Sequence, residues 1–366
     1  MSSSGTVGTV GVVGAGTMGR GIAQLCAQKG FPVLLHDVST EAAEKAARVI
    51  QDDLSSSATK GALTPEEAAQ ARSRVRPAAA LEELASADIV IEAIFEDLAA
   101  KRELFARLEP LLKPRAILAT NTSSLAVGAI AEGSPSPGRI LGMHFFNPAT
   151  MMRLIEVVRA PLTEEGAFRR AWAFALELGK TPVEAKDTPG FIVNRVVRPF
   201  YLQAQSVAGE GGTSFERIDN EVRDLGGLPM GPFKLMDLIG LDVNLAISRS
   251  IYQALKKPER LKPHFIQERL VEAGRNGRKT GKGFYLYENG RSAGTNPEAL
   301  NLIPSRQITT RPGDAWRRIR DAIIREAELA RDEGVASESD IDTAVRLAMN
   351  FPKGPFELRR EREAGA

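Results

Sequence analysis

The sequence predicts an α/β domain followed by an all-α domain that carries a second, partial tandem copy. Three observations predict it. Short β-branched runs alternate with helical stretches over the first 185 or so residues, the pattern of a parallel sheet covered by crossover helices. A G-x-G-x-x-G turn separates the first such run from the first helical stretch. A stretch of 21 residues recurs at an offset of 123 near the C-terminal end, as in a duplicated helical unit.

Strands are expected at "TVGVV", "PVLLH", "DIVIEAI", "AILAT", "RILGM" and "RLIEVV", and helices from near Met18, Thr40, Leu98 and Glu164. After "KTPVEAKDTPG" the strand signal fades and helical runs take over, which sets a boundary near residue 187. The repeat pairs "FERIDNEVRDLGGLPMGPFKL" (215–235) with "ESDIDTAVRLAMNFPKGPFEL" (338–358), identical at nine of 21 positions including the G-P-F-x-L kernel. Between the copies, a stretch rich in Gly, Pro, Ser and Asn reads as a linker. The expected organisation is therefore 1–187, an α/β domain; 188–288, the first helical domain; 289–313, a linker; and 314–366, the partial second copy.

A chain of 366 residues is long enough for two domains with substantial cores. With 43% hydrophobic and 26% charged residues it has ordinary globular composition, and a formal charge of +2 gives no reason to expect a nucleic-acid partner. The one cysteine, Cys26, lies in an apolar helical run and reads as packing; it argues against a disulfide and a thiolate metal site, and no metal is expected. The N-terminus lacks the pattern of a signal peptide and no run approaches the roughly 20 apolar residues of a membrane helix, so the expectation is a cytoplasmic protein without a membrane partner.

In "TVGVVGAGTMGRGIAQ" the glycines fall at Gly14, Gly16 and Gly19, with Thr17 and Met18 between the last two. Strand, glycine turn, helix, second strand and a terminal acidic residue, Asp37, together form a Rossmann-type dinucleotide fingerprint, whereas the glycines alone are weak evidence. The turn lets backbone approach a pyrophosphate whose charge the helix N-terminus stabilises. Asp37 would accept hydrogen bonds from the adenosine ribose and repel a 2′-phosphate, favouring NAD over NADP. FAD shares the fingerprint, and a cofactor-free glycine turn is the bland alternative.

"GMHFFNPATMMRLIEVV" (142–158) lies at the C-terminal side of this domain, where the nicotinamide end belongs. In a strand Glu156 shares a face with Leu154 and Val158, so burial would demand a partner. His144 is the obvious one: a carboxylate on one ring nitrogen fixes the tautomer and stabilises the imidazolium formed when the other takes a proton. Hydride transfer from an alcohol needs such a base. His36 and His264 read as satisfied core or surface residues. A hydrolase built on Ser123, His144 and Glu156 is disfavoured because no G-x-S-x-G elbow surrounds Ser123.

The motifs "GAGTMGRGIAQ", "EAIFEDLAAKRELF", "TNTSSLAV", "GMHFFNP", "IEVV", "DTPGFIVNR", "GLPMGPFKLMDLIGLDV" and "GRKTGKGFYLY", in that order, resemble the NAD-dependent L-3-hydroxyacyl-CoA dehydrogenases, 3-hydroxybutyryl-CoA dehydrogenases included. The resemblance runs from residue 7 to about 288. It implies oxidation of an L-3-hydroxyacyl-CoA to the 3-oxoacyl-CoA, with His144 as general base and Glu156 as its orienter. Ser123 and Asn194 would position the substrate oxygen, and Asn147 would shape the same pocket. It further implies cofactor-side positions for Glu96, Lys101 and Asn121, and CoA phosphate contacts for Lys60 and Lys101. Asp53 departs from the family, which often has a small hydroxyl there, and would weaken the phosphate contact if turned inward.

The duplication resembles longer family members in which a second helical copy is present. Single-copy relatives dimerise through the helical domain, so a monomer or weak homodimer is expected here, the second copy replacing a partner subunit. Two rival readings are a dehydrogenase of a free hydroxy acid, such as a sugar acid, and a crystallin-like NAD-binding structural protein.

Overall fold

The computed structural model describes residues 7–303, 311 and 313–364. These divide into two compact units at Thr188/Pro189. The first unit holds an eight-stranded sheet: β1 Val10–Val13, β2 Val33–His36, β3 Val75–Ala78, β4 Ile89–Glu92, β5 Ile117–Thr120, β6 Ile140–Phe145, β7 Leu154–Arg159 and β8 Thr181–Lys186. Its helices are α1 Thr17–Gln28, α2 Thr40–Thr59, α3 Pro65–Arg74, α4 Leu98–Leu108, α5 Val127–Ile130 and α6 Glu165–Glu177.

The strand order β3-β2-β1-β4-β5-β6-β7-β8 turns outward in both directions from β1 and β4. That reversal opens the crevice in which open α/β sheets bind ligands. Alternate residues Val10, Val12, Val33, Leu35, Ile89 and Ile91 join the buried sides of α1, α2 and α6 in one core. Ser39 caps α2 by accepting from the Ala42 N–H, and Asp97 caps α4 by accepting from the Ala100 N–H, which is why these helices begin where the pattern Ser/Asp-then-apolar places them.

Three features depart from the sequence expectation. The sheet is not wholly parallel, because β7 runs antiparallel to β6 before β8 resumes parallel to β7. The segment α3–β3 carries no clear sequence signal: β3 buries only Val75 and Ala78 while Arg76 and Pro77 face solvent, too little apolar surface to mark a strand. "TPVEAK", which the sequence places at the approach to the boundary, is β8.

The second unit contains helices α7 Val193–Val196, α8 Arg198–Gly209, α9 Phe215–Gly226, α10 Pro232–Ile239, α11 Leu241–Ala254, α12 Phe265–Glu272, α13 Pro297–Leu300, α14 Asp314–Asp332, α15 Glu338–Met349 and α16 Pro355–Ala364. The repeat is the pair α9–α10 and α15–α16. In each copy an aspartate on the first helix caps the second: Asp219 accepts from the Phe233 N–H at 2.9 Å, Asp342 from the Phe356 N–H at 2.7 Å. The glycine of each G-P-F is required by the same approach, since a Cβ at Gly231 or Gly354 would lie within 2.4 Å of that aspartate. Both first helices end in a left-handed residue, Gly227 in one copy and Asn350 in the other, two residue types that tolerate it.

The expected linker is partly ordered. Residues Tyr285–Glu288 (β9) and Arg291–Thr295 (β10) form a hairpin, and Asn296, which is buried, donates to the Gly283 carbonyl. Residues 304–310 and 312 of that segment, and 365–366 of the second copy, lie outside the described residues.

Candidate active site

Three glycines shape the turn after β1, each for its own reason. Gly14 has φ 104° and a Cβ there would meet the Ala93 carbonyl at 2.5 Å; a Cβ on Gly19 would lie 1.7 Å from the Gly14 oxygen. Gly16 faces open space, where an added Cβ would meet no atom within 4 Å. It precedes α1 without a side-chain cap, so the first N–H groups of Thr17, Met18 and their neighbours remain available to an anion. At the end of β2, Asp37 accepts from the Ala15 N–H at 2.8 Å through one oxygen and from the Ser39 N–H at 3.2 Å through the other, which fixes the carboxylate beside the turn.

A cavity of about 780 Å³ opens there, lined by Gly14, Gly16, Asp37, Val38, Phe95 and Leu104 among others. Val38 and Phe95 are 96% and 71% exposed. Apolar side chains left in solvent around a polar turn suit the faces of a purine. Neither residue stands out in the sequence; the hydrophobic residue directly after Asp37 is the one available signal. Turn, carboxylate and apolar rim together fit a dinucleotide with a free ribose diol.

His144 lies within β6, not after it, and Glu156 is directly opposite on β7. The Nδ1 to Oε2 distance is 2.6 Å; His144 is 6% exposed and Glu156 fully buried. The antiparallel turn of β7 creates this contact, because opposed residues of adjacent strands put their side chains on one face at short range. A carboxylate can only accept, so the proton between them belongs on Nδ1 and Nε2 is left as the basic nitrogen. Gly142 permits the pairing: a Cβ there would fall 2.7 Å from that of Val158. Phe146 packs against the imidazole at 4.5 Å between ring centres.

Between β4, β5 and α4 runs a chain of buried polar groups. Glu92, fully buried, accepts from Lys101 Nζ at 2.7 Å and from the Thr120 hydroxyl at 2.6 Å. Lys101 also reaches Glu96 at 3.0 Å. Glu96 in turn accepts from the Thr122 hydroxyl and the N–H groups of Ser123 and Ser124. Burial raises the Glu96 pKa, but Lys101 and these donors outweigh it and hold the carboxyl down at about 2. The CoA phosphate contact that the resemblance implies for Lys101 does not match its setting. At 1% exposure and bound to two carboxylates, its ammonium is committed inside the domain instead. It anchors Glu96, and Glu96 anchors the Ser123 turn.

Asn121 ties two strand ends together, its Oδ1 accepting from the Phe145 N–H at 2.8 Å, one residue from His144. Asn147 is exposed on the connection from β6 to β7. Lys60 and Asp53 are both exposed on α2 or its end, seven residues apart and so on one face. In the helical unit Asn194 is half-buried on α7. The next residue, Arg195, is fully buried and bonds Glu326 at 3.0 Å and Glu333 at 2.7 Å and 2.9 Å.

A reversing α/β sheet with a dinucleotide turn, joined to a helical unit, defines a nucleotide-dependent oxidoreductase class. Within it, residues 9–188 match the 3-hydroxyacyl-CoA dehydrogenase NAD binding domain, and residues 190–287 and 315–362 match the 3-hydroxyacyl-CoA dehydrogenase C-terminal domain. The chain is 37% identical to 3-hydroxyadipyl-CoA dehydrogenase of Escherichia coli K12, over 96% of this chain and 90% of that protein. It is 44% identical to a probable 3-hydroxybutyryl-CoA dehydrogenase of Bacillus subtilis, over 76% of this chain and 96% of that one. A crystal structure of 3-hydroxybutyryl-CoA dehydrogenase from E. coli K12 is similar with a TM-score of 0.90 at 36% identity, covering 98% of this chain and 92% of that chain. The chain belongs to the 3-hydroxyacyl-CoA dehydrogenase family, and NAD is its cofactor. No described helix is long and apolar enough to cross a membrane.

Proposed function

We propose that His144 is the general base and Glu156 its orienting partner in oxidation of the 3-hydroxyl of an acyl-CoA thioester. The observation that carries this is the 2.6 Å Nδ1 to Oε2 contact with both side chains buried. A fully buried carboxylate is costly unless paired, and here the pair holds the imidazole in one tautomer. The substrate hydroxyl gives its proton to Nε2 as the carbonyl forms, and Glu156 stabilises the imidazolium. Bound at the glycine turn and Asp37, NAD supplies the acceptor for the hydrogen that leaves C3 with its electron pair.

Ser123, oriented by Glu96, donates to the substrate oxygen, and such a fixed donor matters most in the reverse direction, where that oxygen gains charge. Asn147, on the connection from β6 to β7, shapes the pocket on the same unit. Lys60 is the CoA phosphate contact, an ammonium suiting a polyanion. The CoA thioester is favoured over a free hydroxy acid by the relatives' named substrates, 3-hydroxyadipyl-CoA and 3-hydroxybutyryl-CoA.

The test is NADH formation from 3-hydroxybutyryl-CoA and 3-hydroxyadipyl-CoA by the intact chain and by His144→Gln. Loss of the base should lower kcat about 10²–10⁴-fold and leave the NAD dissociation constant unchanged. Wild-type turnover in the variant would refute the role, and turnover of free hydroxy acids alone would refute the thioester.

The second helical copy takes the place of a partner subunit, so the chain is a monomer or weak homodimer. This is supported within the helical unit by α14, which lies along α8 and sends Glu326 to Arg195.

A further inference from the structure

Lys180 lies between α6 and β8 and is 7% exposed, yet no carboxylate meets its ammonium among the described contacts. It donates instead to two backbone carbonyls, Ala149 and Met152, each at 2.6 Å. Both carbonyls belong to the connection between β6 and β7, the strands that carry His144 and Glu156. That connection also presents Asn147.

The clasp closes a short circuit. Thr181, next to Lys180, donates its N–H to the Arg153 carbonyl at 2.8 Å, and within the connection the Met151 and Met152 N–H groups both turn back to the Pro148 carbonyl. Ala149 is buried and backs onto α1, where a Cβ on Gly21 would stand 3.3 Å from the Ala149 Cβ. The connection is therefore held from the sheet side by one charged group. A hydrophobic residue of similar length would fill the volume without supplying either hydrogen bond.

We propose that Lys180 is a positioning residue for the His144–Glu156 pair, its ammonium clasping the connection that joins the strand of the base to the strand of its orienter. The proposal rests on the reading of that pair given above. Charge is part of the clasp, since N–H donors on an ionised group form bonds roughly twice as strong as neutral ones. Burial lowers the Lys180 pKa and Lys29 at the end of α1 lowers it further, leaving it at about 8. The Cys26 thiol is itself pushed far up by burial and stays neutral. The ammonium is present below pH 8 and is lost as pH rises through it, so the clasp weakens on the alkaline side.

The experiment measures kcat for 3-hydroxybutyryl-CoA oxidation from pH 6 to pH 10, and the NAD dissociation constant, for the wild type, Lys180→Met, Lys180→Gln and His144→Gln. The wild type should lose turnover above pH 8. Lys180→Met should lower kcat about 10–100-fold at pH 7, the scale on which a small misplacement of a reacting group acts, with NAD affinity unchanged. Lys180→Gln, a neutral donor, should retain part of kcat and show no fall near pH 8. Wild-type kcat and pH profile in both Lys180 variants overturn the proposal alone. Parallel losses of kcat and NAD affinity also overturn it, since they mark a general packing role. If neither variant folds, the wild-type profile decides, and a flat profile through pH 8 overturns the proposal. Retained turnover in His144→Gln removes the catalytic pair, and the proposal with it.

Discussion

Gly16 and Gly19 stand three residues apart in one turn yet answer to different neighbours. A methyl on Gly19 would collide with the Gly14 carbonyl, so Gly19→Ala must displace the turn and should cost about 1–3 kcal/mol or more, as overpacking does. Gly16 has an ordinary φ of −69° and open space beyond it. Gly16→Ala should change stability by less than about 0.5 kcal/mol while the methyl obstructs the pyrophosphate, weakening NAD about tenfold, or about 1.4 kcal/mol. Thermal melts beside NAD titrations separate the two, and equal behaviour of both variants would contradict this division. The glycine spacing is legible in the sequence; which glycine serves the fold and which the ligand is not, because that depends on atoms of Ala93 and Gly14 brought near by folding.

At the scale of elements, the repeat is a capping device used twice. Asp342 accepts the Phe356 N–H at the start of α16 and meets the half-exposed Arg360 only at 3.5 Å, so Asp342→Ala should cost about 0.5–2 kcal/mol, the usual value of a lost cap. Asp219 does more: it accepts from Phe233 and Lys234 N–H groups and from the Tyr285 hydroxyl at 2.7 Å. Asp219→Ala strands an additional buried hydroxyl and should cost at least about 1 kcal/mol more than its counterpart. Chemical denaturation of the two variants tests the order, and a larger effect at Asp342 would contradict it. The sequence shows the recurrence of Asp and G-P-F but not their contact, which spans 14 residues and needs the second helix folded back on the first.

At the scale of the molecule, the helical unit is locked by an ion cluster that joins its two copies. Glu326, 1% exposed, receives Arg195 and Arg260, and Glu333 holds Arg195 from its other side. Glu326→Ala leaves the buried Arg195 Nε without its acceptor while Glu333 still neutralises the guanidinium, so it should destabilise the protein by about 1–3 kcal/mol, measured by denaturant unfolding. The same arrangement predicts a monomer or weak homodimer in light scattering; a tight dimer formed by residues 190–260 would contradict it.

The sequence by itself determined the alternation of strands and helices around a dinucleotide turn, the starts of the principal helices, the duplication, and His144 and Glu156 as a candidate pair. Those features are local: periodicity, caps and spacing act over a few residues. The tertiary structure alone decided the antiparallel insertion of β7 that sets His144 opposite Glu156, the burial of Lys101 between Glu92 and Glu96, and the reach of Lys180 to Ala149 and Met152. A long cationic side chain reads as solvated in any sequence window. Only the packing of distant strands reveals that its charge has been taken out of water and which acceptors receive it.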